Sequence, residues 1–481
     1  MRYATHNLSH DNKLTFNQGE LVPVSCYEAL PGDVIHHDVV PFLRTQPLVT
    51  PVMHRCQAKV HSYFVPYRLL WDNFPAFITG GQDGLNASVP PTINFSTNIA
   101  VGSLADYLGL PTGVAPGAMN ALPFRAYAMI FNEYYRDKDL MTALAMAKTD
   151  GNDAITSTAL QNACWEKDYF TSARPNPQKG TAVTLPLTGN APVKLVNGSQ
   201  QLSAQLTSQT NFAGTATTTG RIADNGTWPT NSPMVADMAN ITSANINDLR
   251  IAAAVQRFKE NMSQWGSSYA ERLMAAFGIT NQDARLDLPE YLGGGSQNVQ
   301  FSEVLQTAEG INPTGTLRGH GISAKRSNRY KYHVKEYGVI MTVMVVRPQT
   351  QYSQGVHRMW TRQVKEDFFQ PELQDLGQQA IQNRELYAAH STPTGTFGWQ
   401  DRYDEYRRNE NKVAGDFRTT LNMWHMAREF SSNPALNSTF VQSNPTTRIY
   451  AVTSADQILA YVNHNIVAKR QLKKYAKPIL F

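Results

Sequence analysis

The sequence predicts a mainly β protein whose short strands are separated by long excursions, some of them helical. Three stretches carry this prediction. Tyr330 to Lys335 alternates strictly, with Tyr330, Tyr332 and Val334 on one face and Lys331, His333 and Lys335 on the other, which is the period of a half-buried strand. Tyr337 to Val346 follows as a continuous run rich in β-branched residues, as expected deep in a sheet. Ala58 to Val65 reads as a strand that Pro66 stops. Leu21 to Ser25 and Arg448 to Val452 complete the strand candidates. Short strands with distant partners build Greek-key double-sheet barrels, and other β-sandwiches fit the same pattern.

Helical periodicity falls in the connections. Within Ala121 to Ala147, Tyr127, Ile130, Phe131 and Tyr134 recur at helical spacing. Ile246 to Phe277 carries one stripe of Ile251, Val255, Phe258, Met262, Trp265, Tyr269 and Leu273. Asn247 or Asp248 is placed to cap its start, and Gly278 stands where a helix ends. A third helix is expected around Gln374 to Ala388. These stripes read as packing surfaces. Thr188 to Asn245 is rich in Thr, Ser, Asn, Gln and Gly and reads as a long exposed insertion within one domain spanning residues 1–481.

Composition narrows the function. The charged fraction is 17%, below the roughly 25% of an average soluble chain, which suits a surface largely covered by other subunits. Cys26, Cys56 and Cys164 form no C-x-x-C pair, which argues against a disulfide framework and fits a reducing compartment. Met1 to Phe16 is polar, so no leader is expected, and no apolar run approaches the ~20 residues of a membrane span. Net charge is +5, but it is concentrated. Arg318 to Lys335 and the last thirteen residues hold +11 between them with no acid, so the rest of the chain sums to −6. Concentrated cations are expected where a polyanion is met. The nucleic-acid-binding candidates are therefore Lys325, Arg326, Arg329 and Lys331 in the first segment. In a C-terminal tail from Ala468 to Phe481 they are Lys469, Arg470, Lys473, Lys474 and Lys477, with Tyr475 to stack on a base. The same tail could instead clamp a neighbouring subunit through Pro478 to Phe481, and the first segment could be the solvated face of a strand.

Catalytic and metal chemistry finds little support. His36, His37, His54 and His61 match no metal-site spacing. Asp401, Asp404 and Glu405 lie among Arg402, Arg407 and Arg408, which favours a salt-bridge network over a glycosidase acid pair. Gly293-Gly294-Gly295 lacks the Lys-Ser/Thr of a phosphate loop and is expected to be a turn. No G-x-S-x-G or H-E-x-x-H occurs. No catalytic residue and no cofactor is expected; a structural divalent cation held by loop carboxylates is left open, with no position for it. A carbohydrate-active β-sandwich enzyme and a non-shell single-stranded-DNA-binding protein are the competing classes.

Longer strings carry a resemblance. Phe16-Asn17-Gln18-Gly19-Glu20-Leu21-Val22-Pro23-Val24 runs into Glu28-Ala29-Leu30-Pro31-Gly32-Asp33. Tyr63-Phe64-Val65-Pro66-Tyr67-Arg68, Asn132-Glu133-Tyr134-Tyr135-Arg136-Asp137 and Asp168-Tyr169-Phe170-Thr171-Ser172-Ala173 follow. Pro289-Glu290-Tyr291-Leu292-Gly293-Gly294-Gly295 and Gln400-Asp401-Arg402-Tyr403-Asp404-Glu405-Tyr406-Arg407 come later, in the same order as in the family. From about Asn12 to Lys477 the chain resembles the major capsid proteins of microviruses, in particular the gokushovirus-like branch; Thr188 to Asn245 has no residue-by-residue match. The resemblance implies an eight-stranded jelly-roll barrel with large inserted loops and no enzymatic activity. It implies a T=1 icosahedral shell of identical subunits, assembled in a bacterial cytoplasm around a circular single-stranded DNA genome. It also implies internal scaffolding, DNA-binding and pilot proteins as further partners, and an insertion loop, here Thr188 to Asn245, that meets a host receptor.

Overall fold

The computed structural model describes residues 3–181, 183, 193–195, 234–236, 246–264, 268–280, 282–305, 307, 315–327 and 329–474. The chain divides into two units, residues 1–177 with 263–481, and residues 178–262. In the first, ten strands form one curled antiparallel sheet: β1 (Ala4–Asn7), β2 (His10–Phe16), β3 (Val22–Ala29), β4 (Val34–Thr45), β5 (Cys56–Pro66), β10 (Glu290–Leu305), β11 (Leu317–Ala324), β12 (Tyr330–His333), β13 (Gly338–Pro348) and β16 (Ile458–Arg470). The order is β1-β16-β4-β11-β10-β5-β13-β3, with β2 also on β16 and β12 also on β4. Strand β10 joins the two halves: residues 290–299 pair with β5, and residues 300–305 pair with β11. Small hairpins lie outside this sheet: β6 (Thr92–Phe95) with β7 (Gly117–Asn120), and β14 (Gln378–Gln382) with β15 (Thr396–Asp401).

The two halves differ in how many faces they bury, and the sequence shows why. Inside the curl, Phe16, Val24, Val39, Leu43, Val60, Met344, Val346, Ile458 and Val462 form one core cluster. Ile35, Phe64, Ile340, Ile466 and Ala468 form another. The outer face of β5 and β13 is covered as well: Tyr63, Val65, Val339, Met341, Val343 and Val345 pack with Trp71, Phe124, Tyr127 and Phe131. Burial on both sides accounts for the unbroken apolar run of β13. Strand β16 instead alternates buried and exposed positions along its whole length, so its half of the sheet keeps one open face.

The strands expected at Leu21 to Ser25, Ala58 to Val65, Tyr330 to Lys335 and Tyr337 to Val346 correspond to β3, β5, β12 and β13. Five expectations differ from the structure. Arg448 to Val452 makes only a single bridge, Tyr450 to Leu48, because Arg448 is drawn into the carbonyls of Asn422, His425 and Ala427. The third helix is instead strand β14 flanked by the 3-10 turn Pro371–Leu376 and the short helix Asn383–Leu386. The helix in Ala121 to Ala147 covers Leu122–Ile130, runs into a π-helical turn at Phe131–Tyr135 and stops at the extended Arg136.

The glycine triplet is not a turn. It lies in β10 beside a register shift between Tyr291 and Gly293, and a Cβ on Gly294 would meet the Val60 carbonyl oxygen at 2.6 Å and the His61 ring. The expected long helix is two, Ile246–Gln264 and Tyr269–Phe277; the Glu271 carboxylate accepts from the Ser268 N–H to start the second, and Gly278 closes it at φ +66°. Asn247 and Asp248 lie inside the first turn rather than at its cap, and Trp265 lies outside the described residues. In the second unit, β8 (Val193–Leu195) pairs with β9 (Met234–Ala236); the rest of the Thr188 to Asn245 insertion lies outside the described residues.

Candidate nucleic-acid interface

The open face of β12, β4 and β16 brings the two basic segments together. Lys331 stands opposite His36 of β4, and on the other side Val467 stands opposite the same residue, with Lys469 opposite Val34. Residues paired this way share a face. Lys331, Arg329 and Lys469 are exposed. All three bear on His36, whose pKa is lowered first by desolvation and then by Lys331, Arg329 and Lys469. Lys325 is exposed in the connection after β11, and Lys473 and Lys474 are exposed just beyond β16.

Arg326 and Arg470 are engaged differently. Arg326 Nε donates to Asp38 Oδ1 at 2.8 Å. Arg470 Nε lies 2.8 Å from Asp33 Oδ2, and its Nη2 donates to the Glu28 carbonyl at 2.9 Å. Both carboxylates are buried, so these two guanidiniums neutralise fixed charges of the fold. The stretch read as the start of a tail is the end of a strand, because Ala468 is buried opposite Ile35. Tyr475 and Lys477 lie outside the described residues.

The same face continues with residues that the sequence reading missed. Phe42 stands opposite Tyr461 and Arg44 opposite Leu459, all four exposed, and the Arg44 guanidinium sits 6.0 Å from the Phe42 ring centre. They line one side of a cleft of about 720 Å³ that Lys13 and Tyr107 also line. The alternation of Ile458-Leu459-Ala460-Tyr461-Val462 was the available signal.

Beneath this face, the alternate residues of β4 and β16 turn inward. His37 Nε2 lies 3.0 Å from His464 Nδ1, His37 Nδ1 lies 2.8 Å from the Tyr330 hydroxyl, and His464 Nε2 lies 3.1 Å from the Val24 carbonyl. His10 stacks on His464 with centroids 4.8 Å apart. Burial, with the neighbouring histidines as a smaller cause, pushes His37 down to about 3 and His464 down to about 4. The other early histidines are likewise occupied: His54 Nε2 by the Gln349 carbonyl at 2.7 Å, and His61 Nδ1 by the Tyr135 hydroxyl at 2.7 Å. The acid-and-arginine stretch forms the network its spacing suggests. Asp404 lies 3.7 Å from Arg407 and also pairs with Arg408, while Glu405 lies 3.3 Å from Arg362 and 3.7 Å from Arg358.

The capsid protein (F protein) family model matches residues 1–480. The chain belongs to this capsid protein family. The capsid protein is 37% identical to capsid protein VP1 of Bdellovibrio phage phiMH2K over 94% of its own length and 90% of that protein's. It is 31% identical to capsid protein VP1 of Chlamydia phage 1, covering 99% and 96%, and 28% identical to that of Spiroplasma virus 4, covering 98% and 94%. This capsid protein is thus a structural component of a phage virion and not an enzyme, which removes the carbohydrate-active alternative. No described helix is long and apolar enough to cross a membrane.

Proposed function

We propose that this capsid protein closes into a T=1 icosahedral shell, about 60 copies related by the rotations of that symmetry, around a circular single-stranded DNA genome. Its eight longest strands, β2, β3, β4, β5, β10, β11, β13 and β16, are the barrel of a jelly roll, with β1 and β12 as short additions. The open β12–β4–β16 face is the genome-facing surface. The observation that carries this is the meeting of Lys331, Arg329 and Lys469 around His36 from segments far apart in sequence. Phosphates need only such a cluster of cations, and the Phe42–Tyr461 pair six residues further along β4 offers ring faces on which bases stack irrespective of sequence. Lys325, Lys473 and Lys474 extend the surface, and Tyr475 and Lys477, outside the described residues, are further DNA contacts. The Thr188 to Asn245 insertion serves host attachment, and scaffolding, DNA-binding and pilot proteins act during assembly.

Negative-stain microscopy of virion-derived protein tests the shell; closed particles lacking this chain would end that reading. For the DNA face, Arg329→Gln, Lys331→Gln and Lys469→Gln together are expected to lower DNA per particle while particles still form. Unchanged packaging would overturn it.

A further inference from the structure

His36 stands at the centre of the cation cluster, and the strand register fixes what surrounds it. Lys331 of β12 is its direct partner on one side and Val467 of β16 on the other. Lys469, two residues beyond Val467, and Arg329, two before Lys331, are diagonal neighbours at roughly 7–8 Å, within reach of long side chains. The ring is half-buried and the three cations are exposed, so a group docking on this face meets all four together. The nearest carboxylates along β4 are already engaged. Asp38, two residues on from His36, is buried and paired with Arg326, and Asp33, just before the strand, is paired with Arg470. The remaining neighbours carry no fixed charge: Asn465 on β16, Asn7 and Thr5 of β1 opposite Val467 and Lys469, and the exposed His333 two residues past Lys331.

We infer that His36 is itself a ligand for the phosphates of the DNA backbone, taking one proton from solvent when the strand docks and returning it on release. In the empty subunit, desolvation first and then Lys331, Arg329 and Lys469 hold the ring below the ordinary imidazole range, so it is neutral near pH 7. A docked phosphate reverses that balance. Its charge offsets the three cations, and it pairs with the imidazolium, whose N–H donates to a phosphate oxygen. A fourth permanent cation at this position would add like-charge repulsion to the empty face, whereas a histidine supplies its charge only when the anion is there to meet it. The contact is to backbone and carries no base preference. Because proton and strand bind together, binding weakens as pH rises from the ring's value in the empty subunit to its higher value in the complex. For a single proton the loss is at most about tenfold per pH unit.

The inference rests on the DNA-face reading, and its test separates the two. The full-length unassembled subunit is titrated with a short oligothymidylate, whose bases do not titrate near neutrality. Calorimetry at about pH 6.5, in two non-phosphate buffers of different ionisation enthalpy, counts the protons taken up. Uptake is expected from the unaltered chain and from His333→Gln, and is expected to fall by at least half in His36→Gln. A second measurement needs no variant: the log–log salt slope of the unaltered chain should be steeper at about pH 6 than at about pH 8 by roughly 0.7, the value of one further phosphate on a single strand. Equal uptake by His36→Gln and the unaltered chain, or equal salt slopes at the two pH values, would overturn the inference. The DNA face would still stand if Arg329→Gln, Lys331→Gln and Lys469→Gln together weakened oligonucleotide binding. If that triple variant bound as tightly as the unaltered chain, the face itself would be wrong and the role of His36 would fall with it.

Discussion

Acidification should loosen the subunit through the histidine pair beneath the basic face. His37 and His464 are fully buried and hydrogen-bonded to each other, with Tyr27, Tyr330 and His10 around them and the Asp11 carboxylate acting on His464 more weakly than burial does. Their pKa values, about 3 and about 4, lie below the unfolded value near 6.5, so the unfolded chain binds protons that the folded chain refuses. The stability they support is therefore present above about pH 6.5 and lost as pH falls toward those folded values. At about pH 5 each ring has lost 1.5 pH units at about 1.4 kcal/mol per unit, so the pair loses about 4 kcal/mol, a large share of the 5–15 kcal/mol of an ordinary domain. Urea unfolding of the unassembled subunit between about pH 7.5 and pH 5 measures this, with the midpoint converted through a common slope. The same series on a His37→Gln, His464→Gln chain should fall less steeply by about that amount. Parallel curves for the two chains would refute the reasoning, because the rings would then be titrating alike in both states.

Other perturbations test the frame around the site. Arg125 and Asp153 form a 2.8 Å ion pair with no exposure, and Arg125 also donates to the Leu70 and Thr149 carbonyls. Asp153→Ala should destabilise by about 3–5 kcal/mol in thermal or urea unfolding, since it strands a buried guanidinium. Gly294→Ala should destabilise by at least about 1 kcal/mol in the same measurement, because its methyl would enter the Val60 carbonyl. Tyr127→Phe removes a hydroxyl that donates to the Leu21 carbonyl at 2.8 Å and accepts from Gln161 N–H at 3.1 Å, and should lose about 1–3 kcal/mol with little change in packing.

What could be read from the sequence follows from burial. Strands β12 and β13 were legible because one has a wet face and the other has none, and each pattern is distinctive. Strand β14 was not, since Gln378-Gln379-Ala380-Ile381-Gln382 has the composition of a helix and only its pairing with β15 decides the matter. Strand β10 was hidden by its glycines, which serve close backbone approach rather than chain reversal. The cations of the candidate site were legible as two runs, but not their division of labour. Arg326 and Arg470 look like Lys331 and Lys469 in sequence, and only Asp38 of β4 and Asp33 just before it distinguish them. His36 could not be found at all, because its role comes from register.

Strand β16 lies between β4 and the two N-terminal strands, pairing Val34 with Lys469 across more than four hundred residues. At roughly 5–20 residues per second, a ribosome needs tens of seconds to deliver that partner. Until it does, β4 presents an open edge and half of the interior has no lid. A nascent chain that lacks β16 therefore has no finished sheet, so the last strand acts as a completeness check on the folded subunit.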